Sequence, residues 1–523
     1  MRSKIAVLCI LEGWGIAPPS PANLIASAKT SNFDNLVSSY PSMSLVSFGE
    51  AVGLASGQAS ASSVGFLNIG AGLVPHLPLS FINKTIKDGS FFSNKILLEA
   101  ISHAKQNNGN LHLVGLISRE QIQSSMDHVL SLLEMCGNNG FTNVFLHVFL
   151  DGIDSQPTKG MDIIEELQNK LNELGFGKIA SICGRNFAMD KTRHWEKTEK
   201  CYESLVYGKE CGYFTDPKEA MKISYEQKIF DQDVNPQILI NDRNKPEGLI
   251  SDNDSVIFFN FRIDGMRQLL GSFTNIHFEK FEAKSFENLY LCSMTNFEND
   301  FEINYAFEIP SKYESLLNVI SKQSLRILNL TEAQNFGESS FYLNGKQKEQ
   351  IENVENRIIP NDKKALKKNK LGAKNKKVLK MLNQEILSEK YDFIVVNFSI
   401  KDKLLDKKDI KSAIKEIEVV DKALGEIAEV VLSKNGYCFI VSNSSYLEDS
   451  NDSGEMKKEN SANPVPFIII GKEFEGRTSE LVNTIGSDLS ITKPVGVLAD
   501  VAPTILKVLN IDKPKDMTGT ALI

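Results

Sequence analysis

An α/β fold with covered, mostly parallel sheets is what this sequence predicts, and three observations predict it. Short apolar runs bounded by turn residues recur along the chain, as fully buried parallel strands do. Stretches of helical periodicity separate them, and one of these lies between two strand-like runs as the crossover of a βαβ unit would. The chain of 523 residues exceeds the size at which one core stops growing, so two domains are expected.

The expected strands are Ile5 to Leu11, Leu111 to Leu116, Val144 to Leu150, Val256 to Phe261, Phe393 to Val396 and Cys438 to Val441. Ile5 to Leu11 is too short to span a bilayer, and no small-residue cleavage site follows it. It reads as a buried strand, and no membrane insertion is expected. Ile414 to Leu432 alternates apolar and charged residues at helical spacing and forms the expected crossover helix.

Composition narrows the function classes. Apolar residues at 42% and charged residues at 24% are ordinary for a globular protein. A formal charge of −8 supplies no field for gathering nucleic acid, so none is expected as a partner. The seven cysteines, Cys9, Cys136, Cys183, Cys201, Cys211, Cys292 and Cys438, show no CxxC spacing. Their odd number fits reduced thiols and a cytoplasmic location. Two charge-biased segments stand out as solvated loops: nine lysines fall between Lys363 and Lys380, and Leu447 to Asn460 carries Glu448, Asp449, Asp452, Glu455 and Glu459.

A series of motifs runs in order along nearly the whole chain. It begins with Leu11-Glu12-Gly13-Trp14-Gly15, Ala22-Asn23, Gly57-Gln58 and Ser62-Ser63-Val64-Gly65-Phe66-Leu67-Asn68-Ile69-Gly70-Ala71-Gly72. It continues with Leu111-His112-Leu113-Val114-Gly115-Leu116, Asp151-Gly152-Ile153-Asp154, Cys183-Gly184-Arg185, Met189-Asp190 and Phe258-Phe259-Asn260-Phe261-Arg262. It ends with Asn463-Pro464-Val465-Pro466-Phe467, Ala499-Asp500-Val501-Ala502-Pro503-Thr504 and Met517-Thr518-Gly519. With these blocks the chain resembles the cofactor-independent phosphoglycerate mutases of the alkaline phosphatase superfamily. The resemblance implies an alkaline-phosphatase-like domain from residues 1–77 and 312–523, interrupted by a phosphotransferase-like domain at 78–311.

In that family a serine takes the phosphoryl group and returns it to the other hydroxyl, assisted by two manganese ions. The resemblance puts this nucleophile at Ser62. The same serine also has a purely structural reading, as the cap of the helix that follows. The first metal-ligand aspartate corresponds to Glu12, one methylene longer. A later Asp-His ligand pair corresponds to Asn443 and Ser444, an Asp and His four apart to Asp402 and Asp406, and a further His to Asn460. A weak Mg²⁺ or Ca²⁺ site at Asp402 and Asp406 is the most this set suggests; no cofactor is expected, and manganese least of all.

The implied substrate-binding set is similarly thinned. Asp154, Arg185 and Arg262 match the family, and Lys191 keeps the charge of an arginine without its fork. Gln123 stands for a histidine, Ile153 and Gly265 for arginines, and Asn335 for a lysine. On this reckoning a small anion would bind weakly, and the first expectation is a catalytically inactive, mutase-like pseudoenzyme that serves as a structural or protein-interaction subunit beside other proteins. The alternative is a residual or altered metal-dependent phosphoryl-transfer enzyme, a mutase or phosphatase using Ser62.

Overall fold

The computed structural model describes residues 4–274, 278–296, 301, 303–310, 312–333, 335–359, 373–399, 410–449, 460–477 and 488–523. The chain separates into two compact units: Met1–His76 with Pro310–Ile523, and Leu77–Ile309.

The first unit opens with strand β1 (Ala6–Glu12) and, after the helices Leu24–Ser27 and Ser31–Ser39, β2 (Ser42–Val46). The helix Ser62–Ala71 ends this part of the unit. Every residue of β1 is buried, because the strand has a neighbour on each edge and cover on both faces.

The second unit carries β3 (Leu111–Leu116), β4 (Val144–Leu150), β5 (Lys178–Gly184), β6 (Gly212–Phe214), β7 (Gln237–Leu239), β8 (Ser255–Phe258), β9 (Tyr290–Thr295) and β10 (Asn304–Phe307). Their order in the sheet is β10-β9-β8-β3-β4-β5-β7-β6. All neighbours are parallel except β5 and β7. The loops after β8, β3, β4 and β5 therefore leave one common edge, the carboxyl edge at which open α/β sheets bind ligands.

The chain then returns to the first unit with β11 (Ile327–Glu332), β12 (Val354–Ile359), β13 (Phe393–Ser399), β14 (Tyr437–Ser442), β15 (Val465–Ile470) and β16 (Gly496–Val497). This sheet runs β12-β11-β13-β1-β14-β15-β2-β16, with only β15 antiparallel to its neighbours. The helix Ile410–Ser433 links β13 to β14, which flank β1 on opposite sides. Its buried stripe of Ala413, Ile417, Val420, Leu424, Ile427 and Val431 has the 3.6-residue spacing expected of a sheet-covering helix.

All six expected strands and the crossover helix are present, with ends that shift by a few residues. β8 stops at Phe258, short of Phe261, because Asn260 turns its side-chain oxygen to accept from Leu116 N at 2.9 Å. Among the described residues no helix is long and apolar enough to cross a membrane. All seven cysteines are free, and six are buried. The acidic loop departs from expectation where it is described: Leu447 and Glu448 are buried. Residues 450–459 and most of the lysine-rich segment lie outside the described residues.

Candidate functional site

In the first unit the residues singled out converge on the carboxyl edge of β1 and β14. Glu12 is the last residue of β1 and is buried. Asn443 and Ser444 follow β14 directly, held by the bond from Asn443 N to Leu11 O at 3.1 Å. Ser62 is the first residue of the helix Ser62–Ala71, and its side chain does not cap that helix; the N-cap is Ala61. Its Oγ lies 3.2 Å from Ser444 Oγ, and Ser444 Oγ also donates to Asn443 Oδ1 at 3.1 Å. The capping reading of Ser62 is thereby corrected: the hydroxyl is engaged across the fold, with its helix's positive end behind it.

The approach of this helix to the loop depends on Gly65. A Cβ there would sit 1.8 Å from the carbonyl oxygen of Asn443. Asn443 Nδ2 returns a bond to Ser62 O at 3.3 Å, and Asn460 Nδ2 donates to Ser60 O at 2.6 Å. Ser60 and Ser445 add a hydroxyl pair at 3.2 Å, so a belt of serines and amides surrounds the start of the helix.

Glu448 anchors the next part of this loop, a role missed in the sequence because its segment looked like acidic surface. Its carboxylate accepts from Gly15 N at 3.1 Å, from Asn463 Nδ2 at 3.0 Å and from Ser461 Oγ. Burial pushes its pKa up, opposed by those donors. The signal available was its place five residues after Asn443 in a segment that begins apolar, not its charge.

In the second unit the expected residues sit in the loops at the carboxyl edge. Gln123 follows β3, Asp151, Ile153 and Asp154 follow β4, Arg185 follows β5 and Arg262 follows β8. Arg185 is 8% exposed, and its Nη1 donates to Asp151 Oδ1 at 2.5 Å and to Asp154 Oδ2 at 2.7 Å. Asp151 Oδ1 also accepts from the backbone N of Ile153 and Asp154, which shapes the turn through Gly152 at φ +70°. Asp151, whose motif carries no sign of this part, is the residue that holds Arg185.

Gln123 accepts the backbone N–H groups of Phe261 and Arg262 on its own carbonyl, both at 3.1 Å. Its side chain is buried, and Oε1 has no hydrogen-bond partner among the described residues. Arg262 is half-exposed and meets Asp264 at 3.2 Å. Lys191 is exposed, as is Ile153, whereas Gly265 is buried against Met189. Asn335 lies in the first unit, half-buried at the start of the helix Phe336–Leu343, and is not brought to the β1 edge by any described contact.

Asp402 and Asp406 lie outside the described residues. Among the described residues no group of three His, Cys, Asp or Glu side chains could hold a metal ion, so Glu12 is the one described acid of the expected ligand set.

Residues 82–299 match the family model for the BPG-independent PGAM N-terminus. Over the whole chain, 35% of residues are identical to the 2,3-bisphosphoglycerate-independent phosphoglycerate mutase of Clostridium perfringens, with 100% of both chains covered. The mutase of Methanococcoides burtonii is 35% identical over 99% of this chain and 98% of its own. Mutase 1 of Methanosarcina barkeri is 36% identical at the same coverage. Among solved structures, a phosphoglycerate mutase of Leishmania mexicana, determined at low cobalt concentration, superposes with a TM-score of 0.63. It is 23% identical and the match covers 100% of this chain and 98% of that one, which establishes the common fold.

Two expectations are overturned. The inactive, scaffolding pseudoenzyme does not stand against end-to-end identity of about a third with proteins that are named as mutases. That expectation weighed the loss of charge at Asn443, Ser444 and Asn460 as loss of chemistry, yet the Ser62 hydroxyl remains and is held by Ser444. The expectation of no cofactor, or at most a weak Mg²⁺ or Ca²⁺ site with manganese least expected, falls by the same kinship. It rested on the replacement of Asp and His ligands by Asn443, Ser444 and Asn460, and hard divalent ions including manganese are well served by oxygen donors. On the strength of the full-length relatives, the chain belongs to the family of 2,3-bisphosphoglycerate-independent phosphoglycerate mutases.

Proposed function

We propose that the chain is a phosphoryl-transfer enzyme that interconverts phosphoglycerates through Ser62. The observation that carries the reading is the position of Ser62 at the amino end of a buried helix, its hydroxyl oriented by Ser444 at the carboxyl edge of β1 and β14. Full-length identity to curated mutases supports the substrate class.

In this reading Ser62 Oγ attacks phosphorus, the bond from phosphorus to the substrate oxygen breaks, and the group is later returned to the neighbouring hydroxyl. A serine hydroxyl needs activation, and neither Ser444 nor Asn443 is a base. Glu12, buried on the same strand edge, is the described carboxylate suited to accept the proton. Helix-end N–H groups and the belt of hydroxyls and amides favour an anion at this edge. In the second unit, Arg262 and Lys191 offer exposed charge to an anionic substrate. Arg185 is set rigidly by Asp151 and Asp154.

Kinship makes a divalent metal the expected cofactor, and the related Leishmania structure was determined with cobalt. The described residues do not by themselves make up such a site. The decisive experiment is turnover of 3-phosphoglycerate by purified protein supplied with Mn²⁺ or Co²⁺, beside the Ser62→Ala variant. Turnover that disappears in the variant supports the proposal. Wild-type protein that stays inert with either metal, or a variant that turns over equally well, sinks it.

A further inference from the structure

The second unit holds a cavity of about 410 Å³ of whose lining the mutase reading uses Lys191 alone. One side is formed by the turn from Asp190 to Trp195, the other by the start of the helix Arg267–Thr274, with Phe278 and Phe301 closing it. Its volume lies within the ~300–1,000 Å³ range of small-molecule pockets.

The turn is built to present side chains. The Asp190 carboxylate accepts from Thr192 N and His194 N, both at 3.0 Å, from Thr192 Oγ1 at 2.7 Å and from Gln268 Nε2 at 2.7 Å. Burial opposes its ionisation, and these donors outweigh burial and hold its pKa well below the usual carboxylate range. Asp190 is thus committed to its own loop. Arg193 is held at φ +65°, a left-handed conformation rare for a residue with a side chain, in which the loop projects the guanidinium.

Charge and aromaticity occur together here. Lys191, Arg193, Arg267 and Lys280 line the cavity. Among the described residues Lys191 and Arg193 have no carboxylate partner; of the other lining acids, Asp264 is engaged by Arg262, and Glu279 is exposed to solvent. Trp195 meets Phe278 edge-on at 5.7 Å, and Phe278 meets Phe281 at 4.7 Å, so the aromatic wall is braced from behind. A wall of this kind offers an apolar face to a flat ring, while adjacent arginines suit a phosphate with fork geometry.

We propose that this cavity binds a phosphorylated aromatic small molecule of the nucleoside monophosphate class, its ring against Trp195 and Phe278 and its phosphate on Arg193 and Arg267. The site is separate in residues from Ser62 and does not depend on turnover there. It gives the protein a nucleotide-responsive element in the unit that carries the substrate anchors.

Trp195 is also the reporter. The chain has two tryptophans, and Trp14 is buried in the other unit against Phe33. Full-length protein is titrated with AMP while tryptophan emission is followed, with inorganic phosphate, adenosine and 3-phosphoglycerate as separate arms. AMP should produce a saturable change that is absent in Trp195→Phe. Phosphate and adenosine should each bind about tenfold more weakly or worse. Arg193→Gly, which suits the left-handed backbone and so preserves the fold, should weaken AMP by about tenfold or more. Because emission is read without any reaction, the result stands whether or not the protein turns over phosphoglycerate. The proposal is overturned by no emission or calorimetric response to millimolar AMP, by an unaltered affinity in Arg193→Gly, or by 3-phosphoglycerate acting as well as AMP.

Discussion

Ser62 Oγ and Ser444 Oγ are 3.2 Å apart, joined across 382 residues of sequence at the edge where β1 and β14 end. The bond fixes the Ser62 hydroxyl away from its own helix and toward the loop that also carries Asn443. If Ser62 is the phosphoryl acceptor, Ser62→Ala removes turnover by a factor of at least about 10³. Ser444→Ala acts on orientation alone, so it should lower kcat about tenfold and leave KM for 3-phosphoglycerate nearly unchanged. A steady-state comparison of the two variants separates nucleophile from positioner; a Ser444→Ala effect confined to KM would contradict the assignment.

Gly65 is the point of closest approach between that helix and the loop. A methyl group there would stand 1.8 Å from Asn443 O, a backbone atom that cannot swing aside. Gly65→Ala gains helix propensity worth roughly 1 kcal/mol and still should destabilise the protein, because overpacking costs about 1–3 kcal/mol and here displaces backbone. Denaturant unfolding would show the lower midpoint. Turnover should fall further than stability does, since the shift separates Ser62 from Ser444.

The fold was legible because fully buried parallel strands are continuous apolar runs, and Leu111–Leu116 and Val144–Leu150 keep their expected bounds. What was not legible depended on partners distant in sequence. Ser62 looked like a helix cap because a cap is judged from the next three residues, whereas its partner is Ser444. Glu448 looked solvated because acid-rich segments usually are, yet Gly15, Ser461 and Asn463 satisfy it in the interior. Nothing in the spacing of Trp195 and Phe278 announces that they form one wall. Counting charged residues at ligand positions also misjudged function, since it valued the missing side chains and ignored Ser444 and Asn443, which hold the Ser62 hydroxyl in place.

Buried histidines in the second unit should make stability fall on mild acidification. His112 Nδ1 lies 2.9 Å from His147 Nε2, His112 Nε2 lies 3.1 Å from Asp254, and His147 Nδ1 lies 2.8 Å from Ser181 Oγ. Burial, reinforced by His112, pushes the His147 pKa well below its ordinary value, and burial pushes His128 down to about 4. Unfolded histidine takes its proton near pH 6.5, so below that pH the unfolded chain binds more protons than the native one. Each such group then removes about 1.4 kcal/mol per pH unit as pH falls from about 6.5 toward its native value. Burial raises the pKa of Glu448 and of Asp231, which offsets part of this at the acid end. The clean measurement is therefore a difference: His128→Gln should show a shallower loss of unfolding free energy between pH 6.5 and 5 than wild type. Parallel slopes would contradict the depressed His128 pKa.

Arg185 gives a prediction in which stability and binding are expected to part. Its guanidinium is buried and shared between Asp151 at 2.5 Å and Asp154 at 2.7 Å, so removing one acid leaves a partly compensated buried charge. Breaking a buried pair in this way costs about 3–5 kcal/mol when one partner carries the whole burden. Asp151 is the more buried acid, and it also orders the turn through Ile153 and Asp154 N–H groups. Asp151→Asn should therefore destabilise the protein by several kcal/mol, whereas Asp154→Asn, at a more exposed carboxylate, should cost less than half as much. If Arg185 and Asp154 serve the substrate, Asp154→Asn should nevertheless raise KM for 3-phosphoglycerate, although it destabilises the protein less than Asp151→Asn does. Thermal denaturation and steady-state kinetics on the two variants test both halves. Equal destabilisation with no change in KM would make Asp154 a structural partner of Arg185 and nothing more.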